Sequence, residues 1–270
     1  MLHYVTVRRD EKLPWIVFIH GAGGSIQTWK FQRDELGRHA NLLLIDLRDH
    51  GLSQEVRTEE DYSFELVVSD IINVLDNEGI AEAVFVSLSF GSVLLQDLAM
   101  RSPGRIKAAI MAGAIFRANW KIRFFVHSAR FVNEFLPYQK MYSLFSYLLM
   151  PRKEHQVSRR IYRMQARKID PEAYLRWIGL YAEFFRLLER FWSQNIPFPV
   201  LVTMGESDYV FLSAAKRFSE QRNNVKLSLI PDAGHICNID NAEYFNTRVI
   251  EYLSSMDLLS DVTVEPSSKI

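Results

Sequence analysis

Val84-Phe85-Val86-Ser87-Leu88-Ser89-Phe90-Gly91-Ser92-Val93 is the stretch whose reading decides the fold. A β-branched and aromatic run stops at small residues, after which Leu94, Leu95, Asp97, Leu98 and Ala99 recur as on one face of a helix. The pattern is strand, sharp turn, helix, with Ser89 at the turn. A strained turn of this kind holds one hydroxyl above the end of a sheet, and its usual form is Gly-x-Ser-x-Gly. Ser87 stands where the first glycine belongs. Taken alone, the turn is therefore degenerate, and its neighbours must decide what it means.

Working outward, residues 2–7 alternate as a strand. Residues 13–19 and 41–46 are short apolar runs suited to strands buried on both faces. The first run ends in His20-Gly21-Ala22-Gly23-Gly24-Ser25, where glycines let the backbone approach a ligand and expose its N–H groups. No Gly-Lys-Ser/Thr ending or Gly-x-Gly-x-x-Gly spacing is present, which argues against a phosphate-cradling loop. A helix is predicted from Ser63 to about Gly79 and a strand over 106–116. After a break, strands are predicted over 198–204 and 225–230, and helices over 213–221 and 242–253. Strand and helix alternate, which predicts an α/β fold with a mostly parallel, doubly wound sheet.

Between 117 and 196 the alternation stops. The apolar residues there have helical spacing, and Pro137, Pro151 and Pro171 divide the segment into about four helices. It carries 15 Lys/Arg against 6 Asp/Glu and 17 of the 34 aromatic residues. The expected organisation is a core of residues 1–116 and 197–255, an inserted all-helical cap over 117–196, and a C-terminal tail over 256–270.

In a parallel sheet, ligands bind beyond the carboxyl ends of the strands. Ser89, Asp208, His235 and the glycine loop all fall at such ends. A serine hydroxyl needs a base within hydrogen-bond reach, and the base needs a carboxylate to orient it. His235 alone among seven histidines lies after residue 155. Residues 105–133 contain no Asp or Glu, so the acid comes from Glu206, Asp208 or Asp232. Asp208, just past Gly205, is the best placed of the three. Glu206 reads as a loop carboxylate and Asp232 as part of a turn.

With Ser89, Asp208 and His235 in that chain order, the sequence resembles the α/β-hydrolase superfamily from Leu13 to Leu253, in its esterase- and lipase-like form with a helical cap. The glycine loop, the elbow, Gly205-Glu206-Ser207-Asp208 and Gly234-His235 carry the resemblance. So does Asp46-Leu47-Arg48-Asp49-His50-Gly51-Leu52-Ser53, which looks like the family's Asp-x-Arg-Gly-x-Gly-x-Ser loop. The resemblance implies an oxyanion hole formed by the backbone N–H groups of Ala22 and Phe90. It implies an architectural role for the 46–53 loop, with His50 structural. The amino-terminal region is too short for the antiparallel pair common in the family, so one edge strand is expected to be missing or reduced.

The function expected is cleavage of a carboxylic ester, thioester or lactone through an acyl-enzyme, with no cofactor and no metal. A serine at the elbow disfavours the family's epoxide hydrolase and dehalogenase branches, which use an aspartate there. Carbon–carbon bond hydrolysis or cofactor-free oxidation on the same triad, or slow-turnover ligand reception, are the alternatives. Trp120, Phe124, Phe125, Phe131, Phe135, Tyr142, Phe145, Tyr181, Phe184 and Phe185 offer either an apolar wall for a small hydrophobic substrate or packing for the cap. Arg159, Arg160, Arg163, Arg167 and Lys168 form a basic stripe, read as a solvated face or as an attraction for anionic substrates or a lipid surface.

The 32 basic and 32 acidic residues balance, and nothing points to nucleic acid. No signal-peptide pattern and no membrane-length apolar run occurs, and the single Cys237 excludes an internal disulfide. A cytoplasmic location is expected.

Overall fold

Apolar runs flanked by glycine and polar turns become the strands of one sheet in the computed structural model, which describes residues 1–56, 62–117, 123 and 138–260. The strands are β1 (Tyr4–Val7), β2 (Trp15–Ile19), β3 (Asn41–Ile45), β4 (Ala83–Leu88), β5 (Ile106–Ala112), β6 (Val200–Gly205) and β7 (Val225–Ile230). Their order is β1-β3-β2-β4-β5-β6-β7, with every neighbouring pair parallel except β1 and β3. β3 and β4 are buried along their whole length, as expected for strands covered on both faces. A single antiparallel strand of four residues, β1, stands at the edge where a pair is common in the family.

From β2 the chain runs outward to β3, and from β4 it runs the other way through β5, β6 and β7. The direction reverses between β2 and β4, so the glycine loop and the elbow face each other across the crevice where such sheets bind ligands.

Helices cover both faces of the sheet. They are α1 (Lys30–Leu36), α2 (Phe64–Asn77), α3 (Phe90–Arg101), α4 (Tyr138–Leu149), α5 (Gln156–Ala166), α6 (Pro171–Gly179), α7 (Tyr181–Trp192), α8 (Leu212–Glu220), α9 (Cys237–Asp240) and α10 (Ala242–Ser254). Ser63 caps α2 by accepting from the Leu66 N–H at 3.0 Å, and Asp170 caps α6 by accepting from the Glu172 N–H at 2.9 Å. Pro171 occupies the first turn of α6, where its missing N–H costs nothing. Helices α4 to α7 lie between β5 and β6, and α7 packs on α3. Of the aromatic residues singled out in this segment, Trp120, Phe124, Phe125, Phe131 and Phe135, together with the Tyr181 side chain, lie outside the described residues, as does Pro137.

Two boundaries differ from the sequence reading. β5 stops at Ala112 rather than running to residue 116, because Gly113 turns the chain at φ 51° and a side chain there would lie 2.4 Å from the His235 carbonyl oxygen. Residues 256–260, expected to open the tail, are instead tied to the core. Met256, Leu258 and Leu259 pack against the core and the Ser260 N–H donates to the His39 carbonyl at 3.3 Å, while residues 261–270 lie outside the described residues. No helix among the described residues is long and apolar enough to cross a membrane.

Candidate active site

At the end of β4 the chain turns so sharply into α3 that Ser89 adopts φ 52° and ψ −118°. A non-glycine residue in this region stores about 1–3 kcal/mol of strain, and surrounding contacts must hold it there. The Ser89 N–H donates to the Ala112 carbonyl at 2.9 Å, and the Ser92 hydroxyl donates to the Ser89 carbonyl at 2.6 Å. Gly91 permits the close approach of α3 to β2, since a side chain there would lie 2.5 Å from the Ile19 carbonyl oxygen. The Ser87 hydroxyl donates to the Ile110 carbonyl on β5 at 3.3 Å and takes no part in the turn itself.

The structure brings together the three residues singled out in the sequence. Ser89 Oγ lies 2.7 Å from His235 Nε2, and His235 Nδ1 lies 2.8 Å from Asp208 Oδ2. Asp208 is fully buried and His235 nearly so. The second Asp208 oxygen accepts from the backbone N–H groups of Val210 and Phe211 at 3.1 and 3.0 Å, which fixes the carboxylate. With a carboxylate at Nδ1, the proton resides on Nδ1 and the Nε2 lone pair faces the serine hydroxyl. Such an arrangement can take a proton from Oγ and carry the positive charge that results. The Phe211 ring packs on His235 at a centroid distance of 5.1 Å. Glu206 is exposed, and Asp232 is an exposed turn residue with φ 55°.

Phe90 opens α3, so its N–H has no partner within the helix. Neither it nor the Ala22 N–H donates to another group among the described residues. The glycine loop is pressed against the elbow: a side chain on Gly21 would lie 3.0 Å from the Leu88 carbonyl oxygen and 3.2 Å from Ser89 Cβ.

Two histidines fix this loop. His20 Nδ1–H donates to the Gly21 carbonyl at 2.8 Å while its Nε2 accepts from the Leu47 N–H at 3.0 Å. His50 Nδ1–H donates to the Arg48 carbonyl at 2.8 Å and its Nε2 accepts from the Gly23 N–H at 3.0 Å. Each ring must be neutral to accept at Nε2. Burial, and for His20 the neighbouring His50, push the His20 pKa down to about 3, and burial lowers that of His50. The 46–53 loop is otherwise held by Asp46, which accepts from the Ile26 and Leu52 N–H groups, and by the paired hydrogen bonds of Arg48 to Asp70.

Ser89 and His235 open into a cavity of about 210 Å³. Its wall is otherwise almost wholly apolar or aromatic and includes the expected Tyr142, Phe145 and Phe184. Phe185 is buried in packing instead, edge-on to Phe184. A second cavity of about 30 Å³ lies against the glycine loop and also reaches Ser89 and His235.

Sequence reasoning missed Trp177, Tyr162, Ile178, Leu180 and Phe211 in the larger wall, because apolar residues at helical spacing give no sign of which face meets a cavity. It also missed Asp49, whose carboxylate binds Arg176 and Trp177 of α6. The available signal was that Asp49 occupies the glycine position of the Asp-x-Arg-Gly-x-Gly-x-Ser pattern. The basic stripe is not uniformly solvated: Arg159 donates to the Met150 and Arg152 carbonyls and lies over the Tyr147 ring.

Comparison with known proteins agrees with this architecture. The chain is 24% identical over 256 residues to the putative 2-succinyl-6-hydroxy-2,4-cyclohexadiene-1-carboxylate synthase of Bacillus subtilis, covering 89% of this chain and 90% of that one. It is 24% identical to epoxide hydrolase 3 of Xenopus tropicalis, over 93% of this chain and 74% of that one. Among solved structures, the enol-lactonase of Burkholderia xenovorans LB400 superposes with a TM-score of 0.75 at 23% identity, covering 94% of this chain and 96% of that one. The model of the alpha/beta hydrolase family matches residues 16–248, and the chain belongs to that family.

Proposed function

We propose that this hydrolase cleaves a carboxylic ester, thioester or lactone through an acyl-enzyme on Ser89. The observation that carries the reading is the continuous line from Ser89 Oγ through His235 to Asp208, at 2.7 and 2.8 Å, with the acid buried and its second oxygen held by two backbone donors. His235 Nε2 takes the hydroxyl proton as Oγ attacks the carbonyl carbon. The C=O pair moves onto oxygen, which the Ala22 and Phe90 N–H groups receive. A donor of this kind lowers the barrier by about 3–4 kcal/mol, because it is already oriented before charge develops. Asp208 stabilises the imidazolium, which then gives its proton to the leaving oxygen or sulfur. Water attacks the acyl-enzyme with His235 again as base, releasing the acid and restoring the serine.

The two cavities that meet at Ser89 suit this sequence unequally. The larger takes the apolar part of the substrate, and the smaller has room for about one water or an equally small group. Ser89 at the elbow supports this reading over epoxide opening, in which the branch's aspartate would have to stand there. The remaining basic residues of the cap make a steering role for anionic substrates or lipid headgroups measurable. Turnover of a carboxylate-bearing ester would fall with ionic strength while that of its neutral counterpart stays level, and a flat response for both removes the idea.

The deciding test is labelling with a fluorophosphonate, followed by a panel of esters, thioesters and lactones. Wild type should label and turn over at least one class, and Ser89→Ala should do neither. Equal labelling of the two proteins would show that the nucleophile is misassigned.

A further inference from the structure

Asp49 holds a conformation that glycine would occupy without strain. Its φ is 64°, and an L-residue there costs roughly 1–2 kcal/mol relative to the right-handed region. It is also buried, with 3% of its surface exposed. A strained, buried acid in a loop that could have used glycine calls for a compensating contact, and its side chain makes three. Oδ1 accepts from Arg176 Nη2 at 2.8 Å, and Oδ2 accepts from Trp177 Nε1 at 3.0 Å and from the Tyr62 hydroxyl. Burial, with the adjacent Asp49 carboxylate, raises the Tyr62 pKa, so its hydroxyl stays a donor. Arg176 and Trp177 are neighbours on α6, and one carboxylate therefore ties that helix to the 46–53 loop.

Where Trp177 is held gives this tie its consequence. The indole meets the Phe90 ring edge-on at 5.5 Å and the His50 ring edge-on at 5.1 Å. Phe90 supplies one proposed oxyanion donor. His50 accepts from the Gly23 N–H, the residue next to Ala22, which supplies the other. One side chain of α6 thus buttresses both halves of the oxyanion site, and Asp49 fixes that side chain.

We propose that Asp49 is a positioning residue for the oxyanion site, acting through Trp177 to hold Phe90 directly and the Ala22–Gly23 peptide through His50. The assignment rests on the acyl-transfer reading above but is separable from it by experiment. A displaced donor acts on the transition state, where a misplacement of about 1 Å costs on the order of 100-fold, and it affects every substrate whatever its acyl length. A contact that only shapes the apolar wall would instead change the KM of long acyl groups.

The test compares wild type with Asp49→Asn and Asp49→Gly, the second of which also relieves the backbone. With p-nitrophenyl acetate, whose acyl group is too short to depend on the far wall, kcat should fall about 10- to 100-fold in both variants while KM changes less than about threefold. The fluorophosphonate labelling rate should fall in the same ratio, and Arg176→Leu should reproduce the pattern more weakly. Amide hydrogen exchange across residues 20–25 should speed up in both Asp49 variants, whether or not the protein turns over any ester. Wild-type kcat on the acetate with a loss confined to the KM of long-chain esters would overturn the proposal. So would unchanged exchange across residues 20–25. If wild type fails to label at all while that exchange still responds to Asp49, the acyl-transfer reading fails and the coupling of Asp49 to the glycine loop stands.

Discussion

Acidification should destabilise this protein through His20, and the size of the effect follows from the structure. The ring is fully buried, and its Nε2 accepts from the Leu47 N–H, so protonation would set two donors against each other away from bulk solvent. Its folded pKa of about 3 lies below the value of about 6.5 expected in the unfolded chain. Between those values the unfolded state binds a proton that the folded state does not, so stability falls as pH drops below about 6.5. At pH 5 the unfolded chain gains about RT ln(1 + 10^1.5), roughly 2 kcal/mol, while the folded state gains almost nothing. His50, lowered by burial, adds to the effect with the same sign.

The assay is urea unfolding at pH 7 and pH 5 for wild type and His20→Asn. The variant loses the acceptor for the Leu47 N–H and should be less stable at pH 7 by about 1–3 kcal/mol. Its loss between pH 7 and pH 5 should nevertheless be smaller than that of wild type by about 2 kcal/mol, since carboxylates common to both proteins cancel in the comparison. An identical pH 7-to-5 loss in the two proteins would refute the argument that His20 is held neutral.

Other consequences are more direct. Asp208→Asn keeps the shape of the side chain but favours the wrong His235 tautomer, so kcat should fall about 10⁴-fold with little change in circular dichroism; a loss under tenfold would mean that another group orients the base. Cys237 is fully buried and its thiol is pushed up to about 12, chiefly by burial, so a disulfide reagent at pH 8 should leave the native protein unmodified and titrate one thiol after unfolding. Ser87→Gly removes a single 3.3 Å hydrogen bond to the neighbouring strand β5, so ester turnover should stay within about threefold of wild type and stability within about 1.5 kcal/mol; a larger loss of turnover would give the Ser87 hydroxyl a part in the reaction.

Much of this architecture is legible in the sequence because hydrophobic burial writes itself into periodicity. Residues 83–88 are apolar apart from Ser87 and buried at every position, and α2 carries its apolar face at the spacing that predicts it. Ser89 is singled out by the strand-to-helix turn, and Asp208 and His235 by elimination, since few histidines and acids are available at strand ends. Part of what the sequence leaves illegible, beside the apolar wall of the cavity, is held by polar packing. α1 has the sequence Lys30-Phe31-Gln32-Arg33-Asp34-Glu35-Leu36, in which Gln32 is fully buried while Phe31 is exposed. The Gln32 amide donates to the Asn238 carbonyl at 2.9 Å and to Asn246 Oδ1 at 3.1 Å, partners more than 200 residues away. Burial achieved through long-range hydrogen bonds leaves no hydrophobic pattern, so α1 had no legible face.

Two positions where the family pattern has glycine show why an identical departure in sequence can mean opposite things. Ser87 lies inside β4, in an extended backbone that any residue adopts, and its hydroxyl meets a neighbouring strand's carbonyl at 3.3 Å. Nothing there requires glycine, so the extra atoms are absorbed. Asp49 lies at φ 64°, where a side chain costs energy that glycine would not. Such a cost persists only if the side chain returns something, and the return is visible as three donors converging on one carboxylate. The backbone angle separates a tolerated replacement from one with a role, and that angle is set by tertiary structure. Ser87 stands closer to Ser89 in sequence, yet the strain lies at Asp49, where three donors meet the side chain that the backbone angle disfavours.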